Sequence, residues 1–456
     1  MQTRYDVVIA GGGTAGLYMA YMLAKFGFSV LVVEQKPLDN LFKVTGDAIG
    51  KHHVQQHIPD LPQDVIVNYY RGALVISPEE DITIEVPGEG YALDISRWLR
   101  ELARRAINAG AEIADSSSVV KPIYENGQVT GVVVSRKDGT HAQVQAQVTV
   151  DATGASGAVR TKLPKELPIS EPLAPQDASY AFREIVELEH DIERQDFIRI
   201  YLDQRIAPGG YWWFFPKSQR VANVGLGIWG KHVRELGYNP ARFYERLVKA
   251  RPELSNRKIL HSGGGIVPTR RPLDTLVWNR FLAIGDAACA VNPVHGGGLG
   301  PALLSAKLAS ETLALAFEKG DLSVRGLWSY NIRYIQAYGL KQAKLDIFRL
   351  ALQHMSNEEL EAGLRAKLVE SQDVLSLSSE GREQSLLHRI KLVFKLVRLP
   401  LSLIRKLALA VSYMRKIENL YRTYPENPEK LDIWRAQVRK LYEEYLRKLQ
   451  TLTETR

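Results

Sequence analysis

The N-terminal segment constrains the fold of this chain more than any other part of the sequence. It predicts a strand, a glycine turn, a helix and a second strand in direct succession: residues 6–10, 11–16, 17–26 and 29–33. Three glycines lie in the turn with G-x-G-x-x-G spacing: Gly11, Gly13 and Gly16. Glycine at these positions permits a tight turn, close approach of the backbone to a pyrophosphate, and close packing of helix on strand. This context predicts a dinucleotide-binding βαβ unit.

Glu34, at the end of the second strand, indicates which dinucleotide binds. A carboxylate there accepts hydrogen bonds from a ribose and repels a 2′-phosphate, while the backbone N–H groups at the helix start face the phosphates. We therefore expect FAD or NAD(H), and not NADP(H). An ordinary βαβ turn without a ligand is the alternative.

The composition is that of a globular protein with two or three domains: 456 residues, of which 45% are hydrophobic and 24% charged. The single cysteine, Cys289, excludes an internal disulfide and a multi-cysteine zinc site. We expect no leader peptide, no membrane-spanning run and a cytoplasmic protein, soluble or peripheral to a membrane. The net charge of +8 favours a phosphorylated substrate or an acidic membrane face. A solvated basic surface is the alternative.

The loop that follows Glu34, residues 35–51, contains Thr45, Gly46 and Asp47. Small residues here let the backbone run close to a flat cofactor ring. A plain surface loop is the alternative that the local sequence favours.

The next segment predicts part of an antiparallel sheet and a helix. Residues 65–86 alternate as strands. The predicted breaks are two proline-containing dipeptides: Ser77-Pro78 and Pro87-Gly88. Ser96 is predicted to cap a helix over residues 97–108, with Arg97 in its first turn. Arg97 there binds a cofactor phosphate or is merely solvated.

Strand patterns continue to an aromatic stretch. Residues 129–134 and 141–150 predict a hairpin whose second strand ends in the small-residue turn 151–154. Five consecutive aromatic residues, Tyr211 to Phe215, place three rings on one sheet face and two on the other. We expect one face to pack and the other to line an apolar cavity, the alternative being a core strand buried on both sides.

A third informative stretch begins with a buried strand, residues 281–284. Asp286 follows and is placed to accept from a ribitol or ribose hydroxyl, and the glycines 296–298 precede a helix over residues 301–318. These glycines predict a second cradle of backbone N–H groups. His295, beside these glycines, has two possible roles. It donates a hydrogen bond to a cofactor ring or a proton to an accepting carbon, or it makes a structural hydrogen bond.

From residue 321 the chain is predicted to be helical. Residues 385–417 form a basic amphipathic pattern that contains no acidic residue and is interrupted at Pro400. Its cations are Arg389, Lys391, Lys395, Arg398, Arg405, Lys406, Arg415 and Lys416. This pattern favours an anionic membrane surface, with the basic outer face of a helical cap as the alternative. Without a recognition motif, nucleic acid is not an expected partner.

The fingerprint, the turn 151–154 and the stretch 285–298 together resemble the glutathione-reductase-like, p-hydroxybenzoate-hydroxylase-like FAD fold. The aromatic stretch narrows this resemblance. Tyr211-x-Trp213-x-Phe215-Pro216-Lys217, followed after seven residues by Gly225-Leu226-Gly227, is similar to the signature of the geranylgeranyl reductase family, particularly its archaeal members that act on membrane ether lipids.

The resemblance implies an α/β (α+β) chain in three parts. A discontinuous FAD-binding domain is expected over residues 1–64, 91–165 and 266–320, and an antiparallel-sheet substrate domain over 65–90 and 166–265. A helical C-terminal domain is expected over 321–456.

The resemblance also implies an activity: reduced FAD saturates isolated alkenes in geranylgeranyl chains of an archaeal glycerophospholipid or of the free diphosphate. The implied FAD contacts are Gly11, Gly13, Thr14, Ala15, Gly16, Glu34, Gly46, Asp47, Arg97, Asp286, Gly297, Gly298 and Leu299. The implied substrate contacts are Tyr211, Trp213 and Phe215, and the candidate catalytic residues are Thr45 and His295. The electron donor is external, a ferredoxin or NAD(P)H, and the expected location is the inner face of the cell membrane.

One departure from the family pattern concerns Thr45. Several archaeal members have cysteine at this position, before the Gly-Asp of the loop. Three alternatives follow: Thr45 acts as a hydroxyl donor, Cys289 lies near enough to act, or the chain is a paralogue with altered activity. Two rival functions are a flavin monooxygenase or halogenase of the same fold, and a non-catalytic protein that binds flavin and isoprenoid.

Overall fold

The computed structural model describes residues 2–367 and 399–454. Within these ranges the strands are β1 (Arg4–Ala10), β2 (Val30–Val33), β3 (Ala48–Gly50), β4 (Ile66–Ile76), β5 (Thr83–Leu93), β6 (Glu112–Ala114), β7 (Ser118–Glu125), β8 (Gln128–Ser135), β9 (His141–Asp151), β10 (Ser179–Glu187), β11 (Phe197–Tyr201), β12 (Tyr211–Pro216), β13 (Val221–Trp229), β14 (Lys258–Val267), β15 (Val277–Trp278) and β16 (Phe281–Ala283). The α-helices are α1 (Thr14–Lys25), α2 (Lys51–His57), α3 (Ile95–Asn108), α4 (Gly230–Glu235), α5 (Pro240–Lys249), α6 (Leu299–Lys319), α7 (Val324–Leu327), α8 (Ser329–Tyr334), α9 (Leu340–Gln353), α10 (Asn357–Arg365), α11 (Leu401–Arg422) and α12 (Leu431–Glu454).

The first sheet has a parallel centre in the order β16-β9-β1-β2-β6, to which the hairpin β7–β8 and strand β15 add antiparallel pairs. Because the central strands are parallel, their carboxyl ends lie at one edge, where the loops after β1, β2, β9 and β16 meet. A large apolar core joins this sheet to α1, α3, α6 and the C-terminal helices.

The second sheet has the order β14-β10-β13-β12-β11-β4-β5-β3 and is antiparallel except between β11 and β4. One face packs on α5 through a core that includes Trp212 and Phe214. The other face of β12 contacts two loops, one at Gly46 and one at His295. Strand β3 joins this sheet although it follows β2 in the chain.

Two local predictions differ from the structure, and one strand carried no prediction. Helix α3 begins at Ile95, and the side chain of Asp94, not Ser96, accepts from the Arg97 N–H as the cap. No break occurs at Pro87-Gly88, because the β4–β5 ladder accommodates the proline with an irregular register opposite Gly72. Strand β7 was not predicted, since the proline within it, Pro122, argues against a strand; it pairs with β8 on one side.

The C-terminal helices pack on the first sheet's side of the molecule. Tyr445 Oη donates to the Ile347 carbonyl oxygen, and Arg435 and Tyr424 bind Asp274. No helix in the described ranges is long and apolar enough to cross a bilayer.

The predicted basic face is only partly described. Arg389, Lys391, Lys395 and Arg398 lie outside the described residues. Lys406 is wholly buried and pairs with Glu359 at 2.8 Å, so it does not belong to an outer basic face. It falls on the α11 stripe that contains Leu403, Ala410 and Tyr413, which faces the core.

Candidate functional site

The glycine turn after β1 lies against the loop after β9. Gly11 has φ of +106°, and a Cβ atom built on it would lie 2.4 Å from the carbonyl oxygen of Ala152. A Cβ atom on Gly16 would lie 2.0 Å from the Gly11 carbonyl oxygen. Neighbouring backbone therefore requires glycine at both positions, which gives the turn the close-packed form that a bound pyrophosphate needs.

The start of α1 is suited to an anion. No side chain of the described residues caps this helix. The Thr14 hydroxyl accepts instead from Trp98 Nε1 at 2.9 Å, and Ala15 packs against Gly285 of the third glycine stretch. The backbone N–H groups of the first turn are thus left to bind phosphate oxygens.

Two carboxylates lie at the same edge of the first sheet. Glu34 is buried and accepts from the backbone N–H groups of Gly12 at 2.6 Å and Lys36 at 2.9 Å, which orients it and leaves lone pairs for ribose hydroxyls. Within the described chain no hydrogen bond to the Asp286 carboxylate is found, and burial raises its pKa. An acceptor of this kind fits the hydroxyl-rich part of FAD.

The other predicted cofactor residues include Gly298 and Leu299 at the start of α6 and Arg97 in α3. A Cβ on Gly298 would lie 3.2 Å from Asp286 Oδ1, and Leu299 begins α6. Arg97 is half-exposed, and its guanidinium binds the carboxylate of Asp64 at 3.3 Å. Its contact with FAD stays a prediction.

The loop of residues 42–47, here named the Thr45 loop, is held by hydrogen bonds within itself. Asp47 has φ of +61°, a conformation that Asp adopts more readily than most residues. The Thr45 hydroxyl donates to Asp47 Oδ1 at 2.7 Å and accepts from the Asp47 N–H at 3.0 Å. The hydroxyl of Thr45 is therefore committed to positioning Asp47.

Three side chains of the second sheet bind this loop, and we name Arg183, Lys217 and Asn223 the polar clamp. Lys217 Nζ lies 2.7 Å from Asp47 Oδ2, and Asn223 donates to the Thr45 carbonyl oxygen at 3.0 Å. Sequence reasoning assigned none of the three a role. A signal existed for Lys217, which ends the aromatic signature, and for Asn223, a polar residue in an apolar strand.

Arg183 is the most deeply buried cation of the clamp. Its Nε donates to the Thr45 carbonyl oxygen at 3.3 Å, its Nη1 lies 2.9 Å from His261 Nδ1, and its guanidinium lies 5.5 Å from the centre of the Phe42 ring. Burial lowers the pKa of Arg183, and the carboxylate of Asp47 opposes this effect. The positive charge of Arg183 thus interacts favourably with the carboxylate of Asp47.

Tyr211, Trp213 and Phe215 form one face of β12, here named the aromatic face, while Trp212 and Phe214 enter the core, as the alternation predicted. Tyr211 Oη donates to the His295 carbonyl oxygen at 2.6 Å. Phe215 Cε2 lies 3.4 Å from the position of a Cβ on Gly46. One strand thus touches both the Thr45 loop and the loop of residues 295–298, here named the glycine loop.

His295 is exposed, yet nearby protein atoms desolvate its imidazole and lower its pKa to about 4, with a contribution from the Lys341 cation. Its Nδ1 accepts from the Gly297 N–H at 3.1 Å. At neutral pH the imidazole is therefore uncharged, and its proton lies on Nε2.

Cys289 lies in the core near Arg160 and Arg270, and its carbonyl oxygen accepts from Gln342. Burial raises the pKa of its thiol. These surroundings favour a structural role.

A buried histidine near this edge gives a pH prediction. His57 Nδ1 lies 3.3 Å from Tyr18 Oη, while His57 Nε2 has no hydrogen-bond partner in the described ranges. Burial, with the Lys307 cation, lowers the pKa of His57 from 6.5 to about 4. As the pH falls, the unfolded chain therefore takes up the His57 proton before the folded chain does. The contribution of neutral His57 to the free energy of unfolding is complete above pH 6.5 and is lost as the pH falls through about 4.

We expect denaturant titrations to show a free energy of unfolding that falls across this window, and a shallower fall for His57→Asn. His53 and His295 have lowered pKa values and contribute with the same sign. An identical pH slope in the variant would contradict the assignment to His57.

Two family models match segments of this chain, one over the first sheet and one over the second. Residues 6–160 match a family model described as FAD dependent oxidoreductase, and residues 177–267 match one described as geranylgeranyl reductase catalytic domain. The predicted FAD cofactor is thereby confirmed.

Curated relatives extend the match over the chain. A digeranylgeranylglycerophospholipid reductase of Sulfolobus acidocaldarius is 40% identical over 98% of this chain and 99% of its own length. One of Methanoculleus marisnigri is 32% identical over 73% of this chain and 82% of its own.

Solved structures show the same fold. A geranylgeranyl bacteriochlorophyll reductase-like protein of Thermoplasma acidophilum is 24% identical, with a TM-score of 0.75 over 83% of this chain and 96% of that one. The myxobacterial chondrochloren halogenase is 18% identical, with a TM-score of 0.63 over 77% and 83%. The predicted fold class is confirmed. By its full-length identity to the Sulfolobus relative, this chain belongs to the digeranylgeranylglycerophospholipid reductase family of FAD-dependent oxidoreductases.

Proposed function

We propose that this protein saturates the alkenes of geranylgeranyl chains, carried by an archaeal membrane ether lipid or by the free diphosphate. The observation that carries the proposal is the aromatic face, which reaches the glycine loop through Tyr211 and the Thr45 loop through Phe215. When bound, reduced FAD supplies a hydride equivalent to one alkene carbon while the other carbon gains a proton.

The chain's own residues position the alkene and exclude water. An isolated alkene has no polar group to bind, so Tyr211, Trp213 and Phe215 orient it by packing alone. The polar clamp fixes the Thr45 loop beneath these rings, which are largely buried at Trp213 and Phe215. A dry, fixed surface of this kind is what catalysis by orientation requires.

The two candidate catalytic residues differ in what they offer. The Thr45 hydroxyl donates to the Asp47 carboxylate, which supports a positioning role in place of the family cysteine. His295 adjoins both Tyr211 and the glycine loop, and its neutral imidazole carries a hydrogen on Nε2, which supports a hydrogen bond from Nε2 to the flavin ring. Proton donation by His295 to the alkene stays a prediction, because it requires the imidazolium form.

The remaining assignments are proposals from charge and composition. The net charge of +8 supports an acidic ferredoxin as the external electron donor. NAD(P)H is the alternative donor; it would bind only transiently, because FAD occupies the one dinucleotide fingerprint of the sequence. The net charge also supports peripheral attachment to the inner, anionic face of the cell membrane. The division into FAD-binding, substrate and helical domains stays a prediction.

The test is mass spectrometry of a digeranylgeranylglycerol phospholipid after anaerobic incubation with the dithionite-reduced protein. We expect a stepwise gain of two hydrogens for each alkene. Unchanged lipid and unchanged geranylgeranyl diphosphate, with flavin bound and reduced, would contradict the proposal and favour a non-catalytic binding protein. Product that forms only in air and carries oxygen or halogen would favour the monooxygenase or halogenase alternative.

A further inference from the structure

The Thr45 loop lies between the two sheets and contacts both. Phe42, at its start, packs on strand β14 of the second sheet, where its ring centre lies 4.3 Å from that of His261. Val44 reaches the same strand, because a Cβ atom built on Gly263 would lie 2.7 Å from Val44 Cγ2. Lys43, between these two residues, extends to the first sheet instead. Its side chain therefore links the loop to the sheet that carries the dinucleotide fingerprint.

The ammonium group of Lys43 lies over the glycine turn of that fingerprint. A Cβ atom built on Gly13 would lie 2.6 Å from Lys43 Nζ, 3.1 Å from its Cε and 3.8 Å from its Cδ. Gly13 is the residue that directly precedes the first turn of α1. The charged end of the lysine, and not its apolar stem, is therefore the part closest to the start of this helix.

The surroundings of this ammonium group suit an anion. The first turn of α1 contains no acidic residue, so its backbone N–H groups present a partial positive charge beside that of the lysine. Neither a hydrogen bond nor an ion pair of Lys43 Nζ is found within residues 2–367 and 399–454. The pyrophosphate of a bound dinucleotide lies at this turn, and FAD is the dinucleotide of this chain. Its phosphate oxygens therefore supply the partner that the described protein atoms do not.

Arg97, the cation that the sequence suggested for a cofactor phosphate, has different surroundings. Its Nη1 lies 3.3 Å from the carboxylate of Asp64 and donates to the Asp64 carbonyl oxygen at 3.0 Å. The charge of Arg97 is thus opposed by a neighbouring carboxylate, and its side chain is half-exposed. Lys43 is partly buried and has no such partner in the described ranges, so it is the better placed of the two cations to bind phosphate.

We propose that Lys43 is a further FAD-binding residue, whose ammonium group binds the pyrophosphate of the cofactor and thereby fixes the Thr45 loop against the first sheet. Hydrogen bonds from an ammonium group to a phosphate are charge-assisted and stronger than those between neutral groups. The polar clamp holds the same loop from the second sheet. This inference concerns the cofactor and goes beyond the proposed function, so it does not depend on the reduction of an alkene.

The rate at which the holoenzyme releases FAD tests the contact. Each variant is reconstituted with excess FAD and diluted, and the recovery of flavin fluorescence gives the rate. We expect Lys43→Met to release FAD about 10- to 100-fold faster, because it loses a hydrogen bond to a charged group. Lys43→Arg keeps the charge and should restore most of the retention. The control Lys25→Met removes the same charge from the exposed far end of α1, about 18 Å from the turn, and should leave the rate unchanged.

The salt dependence of the release rate separates an ionic contact from a purely structural effect. In the unmodified protein we expect FAD release to become faster as the ionic strength rises, because salt screens the attraction between ammonium and phosphate. In Lys43→Met this dependence should be weaker. A release rate in Lys43→Met equal to that of the unmodified protein, an unchanged salt dependence, or equal acceleration in Lys25→Met would overturn the proposal.

Hydrogen exchange tests the link between the cofactor and the loop. At saturating FAD we expect the amides of residues 43–47 to exchange severalfold faster in Lys43→Met than in the unmodified protein, while those of residues 17–25 in α1 exchange alike. Equal exchange of the loop in the two FAD-saturated proteins would refute its fixation through Lys43. A protein that shows these differences in FAD release and exchange but reduces no alkene would support the role of Lys43 and contradict only the proposed function.

Discussion

We expect the Gly11→Ala variant to be purified without FAD. Two costs coincide at this position. The φ of +106° is strained for an L side chain, by about 1–3 kcal/mol. The added Cβ would also lie 2.4 Å from the Ala152 carbonyl oxygen, and relieving such overpacking costs about 1–3 kcal/mol more. Moving the turn away from the β9 loop displaces the N–H groups that face the phosphates, so flavin absorbance per mole of protein falls to near zero.

Gly110→Ala separates these two costs. Gly110 has φ of +105°, but its Cβ would meet no atom within 4 Å, so this variant bears the backbone strain without the collision. We expect it to lose thermal stability and to keep a full complement of FAD. Retention of FAD by both variants would show that contact with Ala152 does not shape the cofactor site.

The parts of the fold that the sequence predicted are those set by short-range spacing. The turn 11–16 and the strand alternation of 211–215 each occupy a few consecutive residues, and backbone geometry converts their spacing directly into a turn or a face.

The polar clamp was not predicted because its contacts join distant segments. Lys217 meets Asp47 across 170 positions of sequence, and this contact depends on the register of β12 and β13 in the second sheet. A lysine after an aromatic strand indicates nothing about its partner until the strand order is known.

Lys406 shows where a composition-based interpretation fails. The pattern of residues 385–417 predicted one basic face, but helical packing assigns each position separately. Glu359, on α10, supplies the carboxylate that allows this lysine to be buried. The pairing depends on tertiary structure and leaves no mark in the segment itself.

The second large effect is expected at the pair Asp47–Lys217. We expect Asp47→Asn to lower the free energy of unfolding by about 3–5 kcal/mol, because it leaves the ammonium of Lys217 buried without its counter-charge. Asparagine adopts the left-handed backbone conformation as readily as aspartate, so the substitution removes charge and keeps the loop's φ of +61°. Since the Thr45 loop loses its anchor, kcat should fall and FAD should dissociate faster.

A double-mutant cycle then separates the pair from its surroundings. In the Asp47→Asn, Lys217→Met protein no buried charge of the pair is left, so we expect the double variant to be more stable than the sum of the single losses predicts. Lys51–Glu89 is the matched control, a lysine–carboxylate pair at 2.9 Å whose glutamate side chain is 72% exposed. Lys51→Met should leave stability nearly unchanged, because solvent screens that pair. Additive losses at Asp47 and Lys217 would mean that the buried contact does not hold the Thr45 loop, and the loop would then owe its position to Asn223 and Arg183.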